Sequence, residues 1–160
     1  MAKDNLPRGI RNNNPLNLRI SENAWLGKVK NNTDGAFEQF TTMEYGIRAA
    51  MRNIQTIVRR NERAGIKTTV KSLVHTWAPS SDGNNESAYV KSIADHTGIQ
   101  PYDIIDTNKK SHFCLLIWAM AWVENGQQIS MGRVESAYYL AFGRYDPGQL
   151  QNEKDNPNYQ

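Results

Sequence analysis

The sequence predicts an α+β domain that is mainly α-helical, with a small N-terminal β/loop lobe followed by about five helices. Three observations lead there. Turn-forming residues crowd the first forty positions, and apolar residues then recur at three- and four-residue spacing. One run of eleven apolar residues, Phe113 to Val123, stands between polar flanks. A bilayer span needs about 20 such residues, so this run reads as a buried core helix.

The lobe comes first. Pro7, Gly9, Asn12-Asn13-Asn14-Pro15, Asn17, Gly27 and Asp34-Gly35 are closely spaced breakers. Between them Leu16, Leu18 and Ile20 alternate with polar residues, and Phe37 and Phe40 flank a polar pair, as short extended pieces do. Thr41-Thr42-Met43-Glu44 then reads as a capping box, with the Thr41 hydroxyl serving the first turn and Glu44 reaching back. It opens a long helix whose apolar stripe includes Ile47, Met51, Ile54 and Val58 and which stops near Gly65. Thr69 starts a shorter helix that Pro79 ends. A polar loop, Ser80 to Asn85, leads to a helix closed by Gly98. Asp106 or Asn108 starts the apolar helix, which ends in Val123-Glu124-Asn125-Gly126, and the last helix runs roughly from Met131 to Phe142. A lysozyme-like fold is one common solution for this outline. With 160 residues, the expectation is one such domain over 1–146 and a polar, fraying tail over 147–160.

Composition excludes several classes. The net charge is only +3, so a nucleic-acid module held by charge is not indicated. That charge is uneven: residues 1–63 carry +5 and residues 64–160 carry −2. A basic N-terminal half suits an anionic polymer, and equally fits chance clustering on a solvated face. One cysteine forms no internal disulfide, and three scattered histidines give no metal-ligand spacing, so no metal or cofactor is expected. Cys114 lies in the most apolar stretch and reads as a core hydrophobe. The first residues hold no apolar run of signal-peptide length, and no membrane insertion is expected.

Carboxylates remain as candidates for chemistry. Glu124 follows eleven apolar residues and precedes a helix stop. A carboxyl there is either partly desolvated, which raises its pKa toward that of a general acid, or simply the first exposed residue after a core helix. Glu38 between two phenylalanines either faces a cleft or forms the solvent side of a short strand. Asp34 has an adequate role in its turn. Asparagine is in surplus, with 17 in all and five in the first 17 positions. Its amides suit sugar hydroxyls and N-acetyl groups, and the faces of Trp25, Tyr45, Trp77 and Tyr89 suit pyranose rings.

The stretch Arg8-Gly9-Ile10-Arg11-Asn12-Asn13-Asn14-Pro15-Leu16-Asn17-Leu18-Arg19 resembles the R-G-I-R-N-N-N-P-G-N-[IL]-R opening of a phage and prophage family. Members are described as virion structural proteins or as peptidoglycan hydrolases. The likeness continues through Trp25-x-Gly27, Phe37-x-x-Phe40, Glu44-Tyr45-Gly46, Trp77-Ala78-Pro79, Asn84-Asn85-Glu86 and Glu124-Asn125-Gly126, over roughly residues 8–127. Leu16 stands where that family has glycine, which bears on either a tight turn or a close substrate approach. The order Asn13–Arg19, Trp25-x-Gly27, Phe37-x-x-Phe40 is also similar, more weakly, to bacterial glucosaminidases of the flagellar-rod and autolysin type. There a helix ending in a catalytic glutamate comes first.

The resemblance implies a circularly permuted lysozyme-like domain in which Glu124 supplies that glutamate from the other end of the chain. It implies cleavage of peptidoglycan glycan strands, of lysozyme or lytic-transglycosylase type, with Glu124 as acid and Glu38 or Asp34 as second carboxylate. Asn13, Asn14 and Asn17 would orient N-acetyl sugars. The alternatives are a non-catalytic virion or tail component on the same fold and, more remotely, an effector or inhibitor of a host enzyme. Partners would be glycan strands and other virion or secretion-apparatus proteins. The protein would be made in the bacterial cytoplasm without a signal peptide and act on the cell wall.

Overall fold

Six α-helices run through residues 5–143, the part described by the computed structural model: α1 (Arg8–Arg11), α2 (Met43–Arg63), α3 (Val70–Trp77), α4 (Glu86–Thr97), α5 (Lys110–Asn125) and α6 (Met131–Phe142). The polar segment 147–160 lies outside the described residues.

Local chemistry sets most of the helix ends. Thr42 caps α2, its Oγ1 accepting from the Tyr45 N–H at 3.2 Å. The capping box expected at Thr41 is thus displaced by one residue, which puts Tyr45 rather than Glu44 at the reciprocal position. Glu44 instead accepts from Arg133 of α6 at 3.0 Å. A reciprocal box forms at α3, where Ser72 N–H donates to Thr69 Oγ1 at 3.1 Å and Thr69 N–H to Ser72 Oγ at 2.9 Å. Asn85 caps α4 and Ser130 caps α6. Helix α5 begins later than Asp106 or Asn108, with Lys109 at its N-cap and no side-chain cap. The Asp106 side chain is used one turn earlier, accepting from Asn108 N–H. Gly98 and Gly126 end α4 and α5 in the left-handed conformation that favours glycine.

Helix α5 is the centre. Phe113, Leu116, Ile117 and Met120 are fully buried, and α4 and α6 pack against the helix. Helix α2 lies on α6 through Ile47, Met51 and Ile54, α3 lies on α4, and α1 abuts α5. Burial of side chains this size stabilises by about 1.5–3 kcal/mol each. A second, smaller cluster of Leu18, Phe40 and Ala49, flanked by Trp25, Tyr45 and Trp77, seats the N-terminal lobe on α2. No helix among the described residues is long and apolar enough to cross a membrane.

The lobe itself departs from the expected extended pieces. Its pairing is limited to two isolated antiparallel bridges, Arg19–Phe37 and Lys28–Phe40, and its first turn is α1. The reason is local. Asn13 and Asn17 both take φ 54°, so the chain reverses before a ladder can extend. Side chains then satisfy the backbone. Asn14, fully buried, donates to the carbonyls of Leu18 and Glu38 and accepts from the Leu18 N–H at 2.9 Å.

Candidate functional site

Three sequence elements converge at the end of α5. Asn125 donates to the Pro15 carbonyl at 2.7 Å and to its own helix at Ala121. That suture lays the asparagine segment along the helix end. Gly9 makes room for it, because a Cβ there would meet Asn125 Oδ1 at 2.5 Å. One residue earlier, Glu124 Oε1 accepts from Asn17 Nδ2 at 3.0 Å, and Oε2 accepts from the Tyr89 hydroxyl of α4 at 2.9 Å. Glu124 therefore stands beside the Asn13–Leu18 segment.

The carboxyl is only partly accessible. Burial raises its pKa above the ordinary carboxylate range, and the bonds from Asn17 and Tyr89 pull it back only in part. The Tyr89 phenol is itself held well above its usual value, by burial first and then by the neighbouring Glu124 charge. The result is an acid with two fixed donors at the edge of a cavity.

That cavity is a cleft of about 670 Å³ between the lobe and the α3–α4 region. Glu124, Asn17, Trp25 and Trp77 line it. Trp77 is fixed by its own indole N–H, which donates to the Leu16 carbonyl at 3.0 Å. Leu16 is itself buried and not in a positive-φ conformation, so this position does not need glycine.

The other expected residues are placed elsewhere. Asp34 accepts from Arg8 at 2.8 Å, from Asn12 at 2.9 Å and from the Ala36 and Phe37 N–H groups. The Arg8 guanidinium and these donors hold its carboxyl far below the usual range. Glu38 is fully buried, ion-paired with Lys28 at 3.0 Å and accepting from the Ser21 N–H. Neither lines the cleft. Asn13 donates to the Phe40 carbonyl at 3.0 Å, and Asn14 holds the lobe together as described above. The Tyr45 ring covers Gly27, and Tyr89 reaches the site only through Glu124.

Polar residues that sequence reasoning did not name as site candidates also line the cleft, among them Arg19, Asn53, Asp82 and Asn84. Asn53 lies on α2, outside its apolar stripe. Asp82 and Asn84 lie in the loop read only as a connector, although its flanks belong to the resemblance quoted above. The three histidines stay outside. His75 pairs with Glu86 at 2.9 Å, His96 stacks on Trp122, and His112 sits at the start of α5. Burial pushes the Cys114 thiol up to about 11, as for an inert core cysteine. Among the described residues no cluster of His, Cys, Asp and Glu could hold a metal ion.

No family model matches the sequence. The chain is 31% identical over 122 residues to Protein P5 of Pseudoalteromonas phage PM2, a match that spans 74% of this chain and 71% of that protein.

Proposed function

The chain belongs to the family of Protein P5 of Pseudoalteromonas phage PM2, and from that premise we propose that it is a phage-type protein that cleaves peptidoglycan glycan strands on a lysozyme-like domain. Glu124 is the general acid. The single observation that carries this reading is its environment: a half-buried carboxyl of raised pKa, fixed by Asn17 and Tyr89 at the edge of a polar cleft with two tryptophans. A carboxyl whose pKa is raised by burial can give its proton to a glycosidic oxygen as the C–O bond breaks. Asn17 and the aromatic faces of Trp25 and Trp77 supply the amide and stacking contacts that an N-acetylated sugar chain accepts. The protein acts on the cell wall, and other virion or secretion-apparatus proteins carry it there.

A second reading keeps the cleft and removes the turnover: a glycan-binding virion component. The structural use of Glu38 and Asp34 favours it, because both carboxylates first expected to assist Glu124 are consumed in ion pairs. One experiment separates the two. Wild type and Glu124→Gln are incubated with purified sacculi, and soluble muropeptides are measured beside sacculus binding. Release by wild type and not by the variant supports cleavage. Binding by both without release supports the second reading.

A further inference from the structure

We propose that Asp82 is the second carboxylate of this site, the base that takes a proton from the attacking water while Glu124 protonates the leaving oxygen. The inference rests on the glycan-cleaving reading above. Among the described residues that line the cleft, Asp82 and Glu124 are the only carboxylates. They enter it from different elements: Glu124 from the end of α5 beside the asparagine segment, Asp82 from the 3-10 turn Ser80–Asp82 after α3.

That turn is pinned on both sides. The Asp82 N–H donates to the Pro79 carbonyl at 3.0 Å and the Gly83 N–H to that of Ser80 at 2.9 Å, with Gly83 at φ 86°. The Ser80 N–H donates to Glu86 of α4 at 2.7 Å, and the Asn84 amide reaches back to the Pro79 carbonyl at 3.2 Å. The Asp82 side chain is half-exposed and ion-paired across the cleft with Arg19 at 3.7 Å, whose guanidinium also rests on the Phe37 ring. Four other carboxylates near the lobe and loop are bound in structure: Asp34 with Arg8, Glu38 with Lys28, Glu44 with Arg133 and Glu86 with His75; Glu22 is exposed and does not line the cleft.

The two environments divide the labour. Burial favours the protonated form of Glu124, whereas Asp82 is open to water beside a cation. The water oxygen bonds to the anomeric carbon as that carbon's bond to the leaving oxygen breaks. The Glu124 proton goes to the leaving oxygen and a water proton to Asp82. Both groups then return through solvent to their starting state. Attack from the face opposite the leaving group inverts the anomeric centre, as expected when a water stands between substrate and base. The competing route has the sugar's own 6-hydroxyl attack; it consumes no water and leaves a 1,6-anhydro end.

The test uses the full chain on purified sacculi, with wild type, Glu124→Gln, Asp82→Asn and Asp82→Ala. Muropeptide ends are identified by mass, and folding is checked by circular dichroism and thermal melting. The expected result is reducing ends from wild type. In Asp82→Asn, kcat should fall on the order of 10²–10⁴-fold with sacculus binding and melting unchanged. Azide should restore turnover in Asp82→Ala and give a glycosyl azide of inverted configuration. Anhydro ends from wild type, or an Asp82→Asn variant within a few-fold of wild type, overturn the assignment while the glycan-cleaving reading stands. No release by wild type, or full release by Glu124→Gln, overturns that reading and this inference with it.

Discussion

The Tyr89 hydroxyl donates to Glu124 Oε2 at 2.9 Å, so a residue of α4 holds the carboxyl that ends α5. The bond favours the ionised form and opposes the burial that disfavours it. Tyr89→Phe keeps the ring and removes the donor. Glu124 should then titrate at higher pH than in wild type, read from the side-chain carboxyl by carbon-13 NMR, and stability should fall by about 1 kcal/mol. A Glu124 midpoint that moves down would show that the hydroxyl does not stabilise the anion.

Glu124 itself should lower the stability of the fold at neutral pH. Its pKa is raised on folding, so its favourable contribution is complete below the unfolded value and is lost as pH rises through the folded one. Glu124→Gln can keep both contacts without the buried charge, its oxygen accepting from Asn17 and its amide donating to the Tyr89 hydroxyl. Urea titrations should find the variant at least as stable as wild type at pH 7, with wild type gaining on it as the pH is lowered toward 5.

Asp34 has the opposite sign. Its pKa is depressed by the Arg8 guanidinium and by hydrogen bonds from Asn12 and from the Ala36 and Phe37 N–H groups, so its contribution is present above the unfolded value and lost as pH falls toward the folded one. Asp34→Asn should cost about 1.5–3 kcal/mol at pH 7 and progressively less below pH ~4. Because Asp34 is outside the cleft, kcat should change little in the fraction that stays folded. A large loss of kcat at full folding would return Asp34 to the chemistry.

Gly46 tests the seat of the lobe. Alanine in a helix interior ordinarily stabilises by about 1 kcal/mol relative to glycine. Here a Cβ would fall on the Asn13 carbonyl, so Gly46→Ala should instead destabilise by about 1–3 kcal/mol in denaturant melts.

Much of the helical body was legible in the sequence, because its signals are local. Apolar spacing, Thr69, Gly98 and Gly126 mark the bounds of α3, α4 and α5 within a residue or a few. The lobe was not. Asn12, Asn13 and Asn14 looked like turn residues or sugar ligands, yet their amides bond Asp34, Phe40, Leu18 and Glu38, partners up to 27 residues away. The same limit applies to the carboxylates. Glu124 could be picked out because an apolar helix ends on it. The ion pairs that occupy Asp34 and Glu38 depend on Arg8 and Lys28, which only the folded lobe brings near. Asp82 went unremarked because nothing in a polar loop tells which side chain turns toward a cavity.

The bonds of Asn17 with Glu124 and of Asn125 with Pro15 join residues 107 and 110 positions apart. The core of α2 to α6 rests largely on contacts among residues 43–142, without the N-terminal segment. A molecule whose first eighteen residues have peeled away can therefore stay largely helical while its acid hangs unsupported. The Glu124 site would be the first feature such a chain loses on unfolding and the last it regains, which makes the N-terminal segment a clasp rather than a foundation.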